Sequence, residues 1–200
     1  MIADRCETRR VAMSLIADRG HYDTVVRAVL EAKVSVWIAT ANLKGLWVEA
    51  DGVWPGRRGR ARYRSVLEAF DELAARGVEL RILHAGFPSR KFRDEYDRHP
   101  RLVRGGLELR QCPRLHLKAV IVDGRRLYLG SANWTGAGLG AKGASRRNFE
   151  LGIWTGDEAL LDEVQGWFEH LWRGGECAGC GRRDVCDAPI DELLALPVVG

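Results

Sequence analysis

The stretch HLKAVIVDGRRLYLGSAN, residues 116 to 133, constrains the fold more than any other part of the chain. Two strand-like runs, AVIV and LYLG, meet around Asp123-Gly124, a dipeptide that tolerates positive φ and so favours a tight hairpin turn. A chain carrying this segment is built around an antiparallel strand pair. If 116–122 is a strand, its side chains alternate between faces, which groups His116 and Lys118 with Val120 and Val122 and sets Leu117, Ala119, Ile121 and Asp123 on the other side. His116 and Lys118 are then neighbours at the head of an apolar face. Asp123, of opposite parity, belongs to the turn and the scaffold.

Strand and helix patterns alternate through the rest of the chain. Residues 22–33 have helical spacing, and VSVWIATAN after them reads as a strand. Residues 44–60 read as a Gly-, Trp- and Arg-rich loop, followed by an amphipathic helix, RYRSVLEAFDELAARG, closed by Gly77. VELRILHAG predicts a strand, SRKFRDEYDRHP a short polar helix, GLELRQC and NFELGIWTG two more strands, and DEALLDEVQGWFEHLWRGG an amphipathic helix. Such alternation defines an α/β layered fold. After residue 173 the character changes, and we divide the chain into a domain over 1–173 and a Cys-rich appendage over 174–200.

The spacing His116-x-Lys118, then Asp123, then Gly130-Ser131-x-Asn133 resembles the HKD motif of the phospholipase D superfamily at every signature position. Glu150, in NFELG, resembles the acidic residue that follows this motif in the family's small bacterial nucleases. The resemblance covers most of the chain except the cysteine tail. It implies a mixed β-sheet flanked by helices on both faces, and catalytic roles for His116, Lys118, Ser131, Asn133, Glu150 and Asp123.

A phosphodiester repels nucleophiles through its anionic oxygens, and enzymes lower such barriers by about 8 to 23 kcal/mol. Lys118 and Asn133 suit the non-bridging oxygens, and Ser131 adds a hydroxyl donor. His116 is the nucleophile, provided that a partner orients its ring, and Glu150 is the candidate partner. In the family, two motifs form one site, with one histidine becoming a phosphohistidine and the other protonating the leaving oxygen. This chain carries one copy, so the resemblance implies a homodimer joined through the active-site face, working without a divalent metal.

The net charge of +4 does not by itself argue for nucleic acid, but RRGRARYR packs five arginines into eight residues. Arg57, Arg58, Arg60, Arg62 and Arg64 are thus candidate phosphate contacts, as are Arg146 and Arg147 in KGASRRN, beside a glycine-rich loop expected to be mobile. GLGAKG in that loop matches a dinucleotide-binding pattern only outside its required strand context. Trp37, Trp154, Trp167 and Trp172 fall in core patterns, whereas Trp47 and Trp54 flank the arginine run and are placed for stacking on bases or for burial.

His170, Cys177, Cys180 and Cys186 form a plausible tetrahedral zinc set, with Cys112 as another candidate fourth ligand. The alternative is an iron–sulfur cluster, because the cysteine spacing is similar to that of endonuclease III-like glycosylases. No signal-peptide pattern or long apolar span occurs, and a cytoplasmic location is expected. The reading is a nuclease or phosphodiesterase acting on DNA or RNA, with no cofactor for catalysis and structural zinc in the tail. A lipid-directed phospholipase D or transphosphatidylase is the enzymatic alternative. A catalytically silent nucleic-acid-binding module is the other.

Overall fold

The computed structural model describes residues 6–50 and 63–195. Seven strands form one mixed sheet in the order β1-β9-β8-β7-β2-β5-β6. They are β1 (Met13–Ala17), β2 (Ser35–Thr40), β5 (Glu79–His84), β6 (Glu108–Gln111), β7 (Ala119–Val122), β8 (Arg126–Gly130) and β9 (Leu151–Thr155). β2, β5 and β6 run parallel, while β7, β8, β9 and β1 continue the sheet antiparallel. A separate two-stranded ribbon pairs β3 (Trp47–Glu49) with β4 (Tyr63–Ser65).

Both faces of the sheet are covered. On one, a helical run over His21–Val26 continues into α1 (Arg27–Leu30), and with α2 (Val66–Ala75) and α3 (Arg90–Tyr96) it buries Val25, Val29, Phe70 and Phe92 against Val120 and Val122. On the other, α4 (Glu158–Trp172) places Leu161, Val164, Phe168 and Trp172 against Ala119, Ile121 and Leu127. This is the doubly covered α/β sheet that the sequence implies. The face parity of 119–122 follows from it: Val120 and Val122 enter one core, Ala119 and Ile121 the other.

Local signals explain the boundaries. Ser65, Ser89 and Asp157 cap α2, α3 and α4 by accepting backbone N–H bonds from Leu67, Phe92 and Leu160. Asp123 and Gly124 both have positive φ, 55° and 60°, and Arg125 N–H closes the turn on Val122 O at 3.0 Å. That is the primed turn predicted from Asp-Gly.

Several elements differ from expectation. β1 lies in an opening that carries no strand pattern, because only Ile16 of its five residues is buried and no alternation marks an edge strand of this kind. β3 lies within the segment read as a loop. β7 begins at Ala119 rather than His116, because β2 ends at Thr40 and its pairing with β7 stops at Ala39–Ala119. Trp37 stacks on Phe168 and Trp172 is buried, but Trp167, expected in the core, is 39% exposed.

The tail packs onto the main fold. Ile190, the first residue of α5 (Ile190–Ala195), is buried in the α4-side core, and Cys177 packs against the same cluster. At Gly174 a side chain would meet the backbone of Asp191 at 2.6 Å, so the helix exit and the tail interlock. No described helix is long and apolar enough to cross a membrane.

Candidate active site

Several strand ends meet at one end of the sheet: β2 finishes at Thr40, β5 at His84 and β8 at Gly130, while β7 starts at Ala119 and β9 at Leu151. Clefts at the carboxyl ends of parallel strands are common ligand sites in open α/β sheets. His116 and Lys118 lie on the lead-in to β7, held to β8 by Gly130 N–H donating to Lys118 O at 3.2 Å. His116 is exposed, whereas Lys118 is buried. Lys118 Nζ lies 3.0 Å from the His116 ring nitrogens and donates to His116 O at 2.9 Å. Burial pushes the Lys118 pKa below its ordinary value, and the Glu150 carboxylate partly opposes this. The pair thus offers an accessible imidazole backed by a fixed ammonium.

Asn133 is oriented from behind. Its Oδ1 accepts from Asn42 N–H at 3.0 Å and lies 3.3 Å from the Thr40 hydroxyl, which leaves the amide NH2 as the donor end. Thr40, at the end of β2, accepts from Trp134 N–H at 2.9 Å and donates to Asn42 O at 2.9 Å. Sequence reading missed this hydroxyl; a lone threonine ending an apolar strand carries no distinctive signal. His84 was missed too. It shares the strand parity of Ile82, whose side chain enters the same core as Val120, and it is buried, with Nδ1 2.9 Å from Gly86 O and its pKa lowered by burial.

Glu150 occupies a different position from the one expected. Its carboxylate accepts from the Ser131 hydroxyl and, at 3.1 Å, from Asn148 Nδ2, and neither bond runs to His116. Ser131 Oγ also accepts from Leu151 N–H at 3.1 Å. Glu150 therefore fixes Ser131 and sets a negative charge near Lys118, while Lys118 Nζ is the group at hydrogen-bond distance from the His116 ring. Asp123 stands at the far end of β7. It accepts from the N–H groups of Lys33 at 3.0 Å, Val34 at 2.7 Å and Ser35 at 3.0 Å, tying the hairpin to the start of β2. It is a scaffold residue.

Gly130 and Gly152 make room beneath the site. A Cβ on Gly130 would come within 2.3 Å of Tyr128 Oη and 2.6 Å of Leu151 O, and one on Gly152 within 2.3 Å of the Tyr128 ring. The buried Tyr128 lies under this crossing, its pKa pushed up to about 12 by burial, and it receives Ala132 N–H at 3.3 Å.

The basic candidates separate. Arg57, Arg58, Arg60 and Arg62, with Trp54, lie outside the described residues. Arg64 pairs with Glu72 on α2. Arg147 is bound to the Asp18 carboxylate at 3.0 Å and to Lys142 O at 2.6 Å, so it braces a loop, whereas Arg146 is exposed. That loop is packed rather than loose: side chains at Gly138 and Gly140 would meet Asn133 O at 2.7 Å and Asp18 O at 2.8 Å. Trp47 is 44% exposed with Lys91 Nζ 5.0 Å from its ring centre.

The tail residues do not form the expected tetrad. His170 Nε2 is 2.8 Å from Glu176 Oε1 and its ring packs over Gly175, while all five cysteines are free. Among the described residues, no three of His, Cys, Asp and Glu converge as ligands of one metal ion.

Fold and site together define a phospholipase D-like protein. The sequence matches the family model described as "Cardiolipin synthase, PLD-like domain" over residues 25–172, and the chain belongs to that family. No curated protein matches the sequence. Among solved structures, the chain is similar to Nuc from Salmonella typhimurium, a phospholipase D family member, with 18% identity over 81% of this chain and 95% of that one and a TM-score of 0.56. It is likewise similar to NucT from Helicobacter pylori (16% identity, 80% and 94% coverage, TM-score 0.55). TrmBL2, an archaeal chromatin protein, shares the fold over 84% of this chain and 54% of its own, with 14% identity and a TM-score of 0.51.

Proposed function

We propose that the protein is a nuclease that hydrolyses phosphodiester bonds of DNA or RNA through a phosphohistidine on His116, without a catalytic divalent metal. One observation carries the reading: an exposed imidazole 3.0 Å from a buried, fixed ammonium, Lys118. A ring nitrogen of His116 attacks phosphorus, forming the N–P bond as the ester P–O bond breaks. Lys118 and the Asn133 amide meet the charge on the non-bridging oxygens, and Ser131, held by Glu150, is placed to do the same. A second histidine is needed to protonate the leaving oxygen, and afterwards to take a proton from the water that cleaves the N–P bond.

That second group comes from another copy of the chain, across a twofold axis. The surface beside the site supports this assembly. Phe149 is fully exposed next to Glu150, and Leu151, Leu15 and Met13 extend an uncovered apolar strip along the β9–β1 edge. Exposed apolar strips of this kind suit an interface. The similarity to Nuc and NucT, matched over 95% and 94% of their lengths, supports the nuclease reading over the lipid one.

The test is cleavage of labelled single-stranded DNA, duplex DNA, RNA and phosphatidyl lipid in the presence of chelator, using wild type and His116→Ala. Nucleic-acid cleavage that persists in chelator and vanishes in the variant is expected. Turnover of lipid alone would reassign the substrate, and turnover of nothing would leave a binding module.

A further inference from the structure

The cavity between α4, the segment 111–117 and the tail adjoins the phosphate site, since His116 lines it, but most of its wall lies outside that site. It is a partly open cavity of about 400 Å³, and Cys112, Cys177, Cys180 and Cys186 all line it. These are all the cysteines of the chain except Cys6. All four are free and half-buried, and they come from two distant parts of the sequence. A single structural cysteine behaves as a small apolar group, but four cysteines lining one cavity make a soft-metal ligand set.

We propose that this cavity holds a four-iron iron–sulfur cluster, ligated by Cys112, Cys177, Cys180 and Cys186. A lone zinc, about 2.3 Å from each sulfur, requires its sulfurs to lie within about 3.8 Å of one another. Among the described residues no three such ligands group around one ion, whereas all four cysteines line the one cavity. A cubane meets that arrangement, since each thiolate bonds a different iron. Charge agrees as well. Four thiolates on a cluster core of charge 2+ leave a net 2−, and the wall carries Arg114, Arg182 and Arg183 against one carboxylate, Glu176, which is bonded to His170. Arg183 is paired with Asp191 at 2.9 Å and Glu192 at 2.7 Å, which offsets its charge, so the match rests on Arg114 and Arg182. Leu115, Leu171 and Ile190 supply apolar cover. The 2+ core is assembled from two ferrous ions, two ferric ions and four sulfides, and its ligation releases four thiol protons and forms four iron–sulfur bonds, with no further electron transferred.

Cys112 takes the place expected for His170, which is committed to Glu176 and is not part of the cavity wall. The cluster then ties the tail to the segment that carries the site, because Leu115, His116 and Leu117 line the cavity too. This coupling rests on the reading of His116 as the nucleophile; the cluster itself does not.

The experiment reconstitutes the full chain anaerobically with equal amounts of ferrous and ferric iron and with sulfide, then measures iron, sulfide and zinc per chain and absorbance at about 400 nm. About four irons and four sulfides per wild-type chain are expected. Cys112→Ala loses most of that iron, and His170→Ala keeps it. One zinc without sulfide, no bound metal, or full iron in Cys112→Ala would overturn the assignment. The wild-type stoichiometry decides the matter even if a cysteine variant fails to fold, and it is read whether or not any nucleic acid is cleaved.

Discussion

Asp123 gives its carboxylate to the backbone of the neighbouring connection, where the amides of Lys33, Val34 and Ser35 converge on it. Burial alone raises its pKa, but the N–H donors of Val34, Ser35 and Lys33 outweigh burial and hold it below the ordinary value. A depressed carboxyl pKa stabilises the fold above the unfolded-state pKa, and this contribution disappears as pH falls through the lower folded-state value. Asp123→Asn, which keeps the positive φ accessible, should cost about 1–3 kcal/mol in urea unfolding at neutral pH. The difference from wild type should shrink below about pH 4, while activity per folded molecule changes little. Thr40 predicts the opposite pattern. Thr40→Val removes the hydroxyl that receives Trp134 N–H and steadies Asn133, so kcat should fall by about 10- to 100-fold through misplacement of the amide. Steady-state kinetics beside an unfolding curve separates the two effects.

Elements were legible wherever a periodic pattern coincided with burial. β7, its Asp-Gly turn and β8 could be read because both faces of β7 are covered and the turn needs positive φ. β1 could not, since an edge strand with exposed Met13 and Leu15 lacks the alternation that marks a half-buried strand. The motif residues were likewise legible by spacing, but Glu150's true partner was not. Spacing places Glu150 near the site, while the pairing of Gly130 with Gly152 turns it onto Ser131. Cys112 stayed one option among several because nothing in a linear pattern reveals that β6 ends beside the tail. The same β8–β9 crossing predicts that Gly130→Ala costs about 1–3 kcal/mol, since its methyl collides with Tyr128 and with the backbone of Leu151. Thermal unfolding checks this, and an unchanged Tm would mean that the crossing can open without strain.

At the scale of the whole molecule, the account requires two chains per working unit. Phe149→Asp should weaken self-association at least about tenfold, as read by sedimentation, and lower activity in parallel. Mixing wild type with His116→Ala under exchanging conditions should lower activity as the square of the wild-type fraction, because a mixed dimer lacks one of its two histidines. A linear fall would mean that each chain works alone, with a residue such as His84 serving as the acid. The most direct measurement is an acid-free quench during turnover of labelled oligonucleotide, followed by mass analysis of the peptide carrying residue 116. The account predicts an acid-labile phosphoryl adduct on His116, absent from His116→Ala. Nucleic-acid cleavage that proceeds undiminished in His116→Ala, or a trapped adduct on any other residue, would contradict it.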